Sequence, residues 1–135
     1  MQAIPENYSD LLTSKHCVAL TTLMPDGQPQ STVIWIDYDG QYVWVNTMSE
    51  FQKARNLRAR PQVSILVWVL DPFRSMEIRG RVVSESLDGA EEHLNRLSQR
   101  YTGQTPYFGN VLPLEDRQHQ TPVDFKIEIL KVTVA

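Results

Sequence analysis

The segment from Ser49 to Arg60, SEFQKARNLRAR, carries Lys53, Arg55, Arg58 and Arg60 and is closed by Pro61. Cations this close together bind an anion well when the backbone beside them also offers donors. Ser49 with Gln52 three residues later has capping-box spacing, which predicts a helix starting at Ser49. Its first N–H groups and the positive end of its dipole favour a phosphate, and Lys53, four residues after the cap, is placed on the same face to reach it. Asn56 lies one turn further on that face. Phe51, Ala54 and Leu57 recur every three residues, an apolar stripe that anchors the helix while its polar side stays open. The preceding strand-like run ends in Asn46-Thr47, small polar residues placed where a ligand-facing strand end needs donors. A solvated basic face is the competing reading, and that polar strand end counts against it.

Other chemistry-bearing residues are sparse. No Ser/His/Asp order suggests a triad. His16 beside Cys17, His93 and His119 lack partners at metal-ligand spacing. Cys17 is expected as a small core residue and Asp37 as a solvated charge near a turn. Trp35, Trp44 and Trp68 all lie in strand-like runs, where burial is the ordinary fate of tryptophan; Trp35 is the one placed to stack on a ligand ring. Tyr101 and Tyr107 fit either interface or substrate contacts.

The elements that must position these groups are mainly β. Pro5 to Ser14 reads as an opening helix with Leu11 and Leu12 buried. Val18 to Leu23, Gln30 to Tyr38 and Gln41 to Thr47 read as a three-strand meander, turned at Asp26-Gly27 and Asp39-Gly40. Val63 to Leu70 has the two-sided apolar pattern of a central strand, broken by Asp71-Pro72. Met76, Ile78, Gly80 and Val82 alternate with Glu77, Arg79 and Arg81, and Gly80 marks a bend. Ala90, Leu94, Leu97 and Tyr101 repeat at helical spacing up to Gly103. A long loop from Thr102 to Pro122 holds Tyr107 and Phe108, and Val123 to Val134 is a last strand. About six strands in this order predict one small antiparallel barrel spanning residues 1–135. Its interior is packed, so a ligand binds outside, and the doubly apolar strands call for a second subunit over part of that outer face.

At 135 residues and 41% hydrophobic content, one domain accommodates the chain. A net charge of -3 gives no overall attraction to nucleic acid or an anionic membrane. The basic and aromatic residues do not interleave on strands as in single-strand nucleic-acid binders. The single cysteine fits a reducing compartment, the N-terminus lacks the apolar core of a signal peptide, and the longest apolar run, Ile65 to Leu70, is too short to span a bilayer. A cytoplasmic location is expected.

Thr21-Thr22-Leu23 through Asp26-Gly27, Val33-Ile34-Trp35, Lys53-Ala54-Arg55-Asn56-Leu57, Pro61-Gln62-Val63-Ser64 and Glu77-Ile78-Arg79-Gly80 form an ordered set of motifs. In it the chain resembles the pyridoxamine phosphate oxidase-like split-barrel family, and within that family the small oxidoreductases that use the deazaflavin coenzyme F420. The resemblance runs from about Thr13 to Val134 and is strongest from Thr21 to Val83. It implies a six-stranded antiparallel split barrel of the FMN-binding type, paired as a homodimer with two cofactor sites at the interface, and hydride transfer to an unsaturated small molecule. Lys53 then matches the phosphate-binding lysine, with Gln52 and Asn56 beside it on the helix. Gln30, Ser31, Thr32, Val33 and Trp35 match the strand along the cofactor, and Asn46 and Thr47 match the next strand's contact to the phosphate-bearing chain. Arg74, in the segment Asp71 to Ser75, and Tyr101 next to Arg100 fall where the second subunit completes the pocket.

The chain departs from the vitamin-metabolising oxidases at three cations: Ser31, Ile36 and Gln52 stand where they carry arginine or lysine. Charge-assisted bonds to a phosphate are worth roughly 1.5–3 kcal/mol each, so FMN loses much of its usual support. F420 is therefore the expected cofactor and FMN the alternative. A non-catalytic binder of flavin, haem or tetrapyrrole is the alternative of another class.

Overall fold

The computed structural model describes residues 2–135. Seven strands run along the chain: β1 (Val18–Leu23), β2 (Pro29–Ile34), β3 (Asp37–Tyr38), β4 (Val43–Met48), β5 (Gln62–Leu70), β6 (Phe73–Ser86) and β7 (Pro122–Val134). All pair antiparallel in one sheet ordered β2-β1-β5-β6-β7-β4-β3. The fold is mainly β and of the split-barrel type. It has seven strands where six were expected, because the run Gln30 to Tyr38 breaks at Trp35-Ile36.

That break also corrects the expected meander. β2 pairs with β1 and β3 pairs with β4, so consecutive strands lie at opposite edges of the sheet. Three peptide steps join Ile34 to Asp37, and such a length of chain reaches about 11 Å at most. The two edges must therefore lie side by side. The sheet curls into a barrel with an open seam, and Trp35-Ile36 crosses it.

The inner face carries the core: Leu20, Ile36, Ile65, Ile78, Phe125 and Ile127 have no exposure. The opening helix is two pieces rather than one, a 3-10 turn at Glu6–Tyr8 and α1 (Asp10–Thr13), which brings Leu11 and Leu12 into the same core. The Ser9 hydroxyl donates to Glu6 O at the junction, a side-chain bond that competes with helical pairing. Gly80 lies at a register shift in β6, where a Cβ would come within 2.6 Å of Ile127 Cγ2 and 2.7 Å of the Glu128 carbonyl. Only glycine lets β6 and β7 approach so closely there.

On β5 one face is core and the other is open. Val63, Ile65 and Val67 are buried, whereas Leu66, Trp68 and Leu70, with Phe73 at the start of β6, are 42% to 76% exposed. The expected burial of both faces is not met within one chain: among the described residues, none covers Leu66, Trp68, Leu70 and Phe73. Two further α-helices, α2 (Gln52–Ala59) and α3 (Ala90–Thr102), and a 3-10 turn at Leu114–Gln118 within the long loop complete the fold. Gly103, at φ +74°, ends α3 as its spacing predicts, donating to Gln99 O. No helix among the described residues is long and apolar enough to cross a membrane.

Candidate functional site

The seam borders a cleft of about 230 Å³. Val33, Ile34 and Trp35 bring the end of β2 to it, Asn46, Thr47 and Met48 the end of β4, and Phe51 and Lys53 the start of α2. Leu94 and Leu97 of α3, Tyr107 of the long loop and Cys17 form the remaining wall.

The helix start differs from the capping-box expectation. Phe51, in extended backbone with ψ 152°, is the N-cap, so α2 begins at Gln52 and no side chain caps it. Ser49 instead accepts a hydrogen bond from Arg58 Nη2 at 3.1 Å. The correction strengthens the electrostatic argument, because the first N–H groups of the helix keep their positive end unneutralised by any side chain.

Lys53 is half-buried, and its nearest described partner is the Phe51 ring, 5.9 Å away. Burial alone pushes its ammonium below the usual lysine range. The neighbouring arginines are all engaged. Arg58 pairs with Glu85 at 2.7 Å, Arg60 donates to Leu23 O at 2.7 Å, and Arg55 donates to Gln52 Oε1 at 2.9 Å and to the Glu50 carbonyl. Among the described residues Lys53 is the one cation of α2 without such a partner. A half-buried ammonium in that state is stabilised by an incoming anion.

The structure brings Val33, Trp35, Asn46, Thr47 and Lys53 together on the cleft. Other expected site residues lie elsewhere. Asn56 is fully buried: its Nδ2 donates to Thr22 Oγ1 at 3.0 Å and to Gln30 Oε1 at 3.4 Å, and its Oδ1 accepts from Gln52 Nε2 at 2.8 Å. Asn56, Gln30 and Gln52 thus pin α2 to the sheet. Ser31 shares a 2.8 Å hydrogen bond with Thr21, and Arg74 binds both carboxylate oxygens of Asp10. Thr32 has a buried hydroxyl with no partner among the described residues. Tyr101 backs the cleft rather than lining it. Its ring stacks on Trp35 at 5.2 Å, its hydroxyl donates to His16 O, and it accepts from Ile36 N. It fastens the strand crossing.

A polar network behind the cleft escaped sequence reasoning. His93 is 5% exposed, with Nδ1 2.7 Å from Asp124 Oδ1 and Nε2 2.7 Å from Asp37 Oδ2. Burial disfavours the imidazolium, but the two carboxylates outweigh it and hold the pKa up to about 9. Asp37 is also raised by burial, yet bonds from His93 and Arg100 bring it down to about 2. Asp37 is thus a half-buried ion-pair partner, not the solvated charge expected. Cys17 is likewise exposed at the cleft rather than in the core. A polar His93 on the face of α3 shared by Ala90, Leu94 and Leu97 was the available signal; its partners, 31 and 56 residues away, had none.

An anionic, hydroxyl-bearing cofactor fits these groups. Lys53 supplies charge, Trp35 a flat apolar wall, and Asn46 Oδ1 is a buried acceptor with no partner among the described residues.

Comparison with known proteins agrees with the fold. A solved F420 reductase is 29% identical, with a TM-score of 0.81 over 96% of this chain and 98% of that one. A conserved hypothetical protein from Mycobacterium tuberculosis is 29% identical, with a TM-score of 0.72 over 97% of this chain and 84% of that one. An FAD-binding protein from Mesorhizobium loti, 22% identical, shares the fold with a TM-score of 0.69 over 98% and 95% of the two chains. No match was found among curated proteins. The family model described as pyridoxamine 5'-phosphate oxidase matches residues 4–135, and on that match the chain belongs to the pyridoxamine 5'-phosphate oxidase-like family.

Proposed function

We propose that this protein is an oxidoreductase that binds coenzyme F420 in the seam cleft and reduces an unsaturated small molecule laid against it. The observation that carries the reading is Lys53, half-buried at an uncapped helix start with no counter-ion. The likeness to an F420 reductase supports it. When bound, the deazaflavin supplies hydride chemistry. The chain binds, orients and excludes water. Lys53 and the first N–H groups of α2 hold the acidic end, Asn46 and Thr47 contact the chain that bears it, and Val33 to Trp35 set the plane of the ring. No protein acid or nucleophile is required.

FMN is the second cofactor reading, favoured by the single helix-borne lysine that both cofactors use for a phosphate. Ser31, Ile36 and Gln52 leave that phosphate with fewer cations, which favours F420. We assign the open outer face to a second copy of the chain. A cleft of about 230 Å³ is smaller than the 300–1,000 Å³ usual for cofactor sites, so a partner is needed to complete its walls. The exposed Leu66, Trp68, Leu70 and Phe73 offer the apolar surface for it.

Titrating the purified protein with F420 and with FMN, then testing loaded protein for turnover of an unsaturated acceptor, decides among these readings. Tighter F420 binding with turnover is expected. Tighter FMN binding selects the alternative, and binding without turnover identifies a carrier.

A further inference from the structure

Asn46 is one of the residues lining the cleft, and its amide is held in one orientation. Both Nδ2 hydrogens are engaged, one by Ala90 O and one by Asp124 Oδ1, each at 2.9 Å. Flipping the amide would press Oδ1 against those two oxygens, so the acceptor end is the free one. That Oδ1 is buried and has no partner among the described residues. A buried acceptor left unpaired costs about 1–3 kcal/mol, a cost that a bound donor removes.

The orientation depends on Asp124, and Asp124 depends on His93. Asp124 Oδ1 accepts from Asn46 Nδ2 and lies 2.7 Å from His93 Nδ1. The other imidazole nitrogen holds Asp37, two residues beyond Trp35 on the far side of the seam crossing. Arg100 Nη1 donates to Asp37 Oδ1 at 3.1 Å, and its other nitrogen donates to the Ile36 carbonyl. His93 therefore bridges β3, through Asp37, and β7, through Asp124, the residue that pairs with Asn46 of β4. Arg96 and Asp39 face the same pocket as His93, and Lys126 lies over the Trp44 ring beside it.

We propose that His93 is a positioning residue for the cleft, bridging Asp37 and Asp124 so that Asn46 Oδ1 accepts a hydrogen bond from a hydroxyl or N–H donor of the bound cofactor. This rests on the cofactor reading above and adds a specificity element to it. A ligand lacking a donor at that point leaves the acceptor unpaired and binds more weakly.

The test is a double-mutant cycle on ligand affinity at pH 7, with F420 and FMN as probes. His93→Phe and Asn46→Ala should each weaken binding about tenfold, and the double variant should bind no worse than either single one. Losses that multiply to about a hundredfold, or an unaffected His93→Phe, overturn the proposal. If His93→Phe fails to fold, His93→Gln, which keeps one donor, takes its place with the same pattern expected.

A second readout needs no ligand. The side-chain amide proton resonances of Asn46 should stand away from free-amide positions in the wild type and move toward them in the His93 variant; unchanged resonances overturn the clamp. If the wild type binds neither cofactor, the cofactor reading falls and the acceptor role with it, while the amide resonances still decide whether His93 holds Asn46.

Discussion

Replacing Lys53 with alanine should separate binding from stability. The ammonium makes no ion pair with a described residue, so its removal breaks no salt bridge and loses only the 5.9 Å approach to the Phe51 ring. A unit charge pair at 4 Å is worth about 4 kcal/mol at an effective dielectric of 20, and solvent at this half-buried site screens part of that. A charged hydrogen bond of roughly 1.5–3 kcal/mol is the appropriate scale, which converts to about a tenfold to hundredfold rise in Kd. Without ligand, the melting temperature should stay level or rise, since burial penalises this charge. Burial lowers the folded pKa of Lys53, so between that value and 10.5 the unfolded chain holds the extra proton and wild-type stability rises with pH. Lys53→Ala should lack that rise. Calorimetric titration with F420 and FMN, beside thermal melts, measures both effects. Arg58→Ala, which removes the pair to Glu85, serves as a control and should leave affinity unchanged. Affinity within twofold of wild type for Lys53→Ala, or a melt lowered by several degrees without ligand, would refute the reasoning.

Gly80→Ala should lose roughly 2–3 kcal/mol, because the new methyl group meets a backbone carbonyl that cannot move aside; an unchanged urea midpoint contradicts that packing. The His93 imidazolium contributes its stability in full below about pH 6.5 and loses it as pH climbs through about 9. Asp37 contributes above about pH 3.8 and loses its part as pH falls through about 2. Urea unfolding from pH 6 to 9.5 should therefore show a decline of roughly 3 kcal/mol at most, absent in His93→Gln. Glutamate at Leu66 and Trp68 together should convert a sedimenting dimer to monomer and weaken cofactor binding; a monomeric wild type refutes the assignment of the outer face.

Strand positions were largely legible because alternation is a local property. Val18 to Leu23 and Val63 to Leu70 read as strands from their residues alone, and Gly103 stops α3 where its spacing says. What failed was either long-range or energetic. Trp35-Ile36 carries no breaker residue, so nothing local revealed that one run serves both edges of a sheet. Ser49 has the spacing of a cap, but Arg58, nine residues on, takes its hydroxyl. Lys53 and Asn46, chosen from type and position, both lie on the cleft. Asn56 could not be told from a ligand contact, since its role depends on Thr22 and Gln30, strangers to it in sequence. The two-sided apolar pattern of β5 was legible, but which face lies open was not: Leu66, Trp68 and Leu70 are exposed in the single chain, on the outer face where a second subunit was expected.

The link between Ile34 and Asp37 acts as a gauge. Because it is a covalent tether rather than a contact, the separation of the barrel's two lips is limited by how many residues are in it. One added residue would let them part by a further three ångströms or so without altering any side chain. Length at this point is thus a simple route by which a barrel of this kind acquires a roomier mouth.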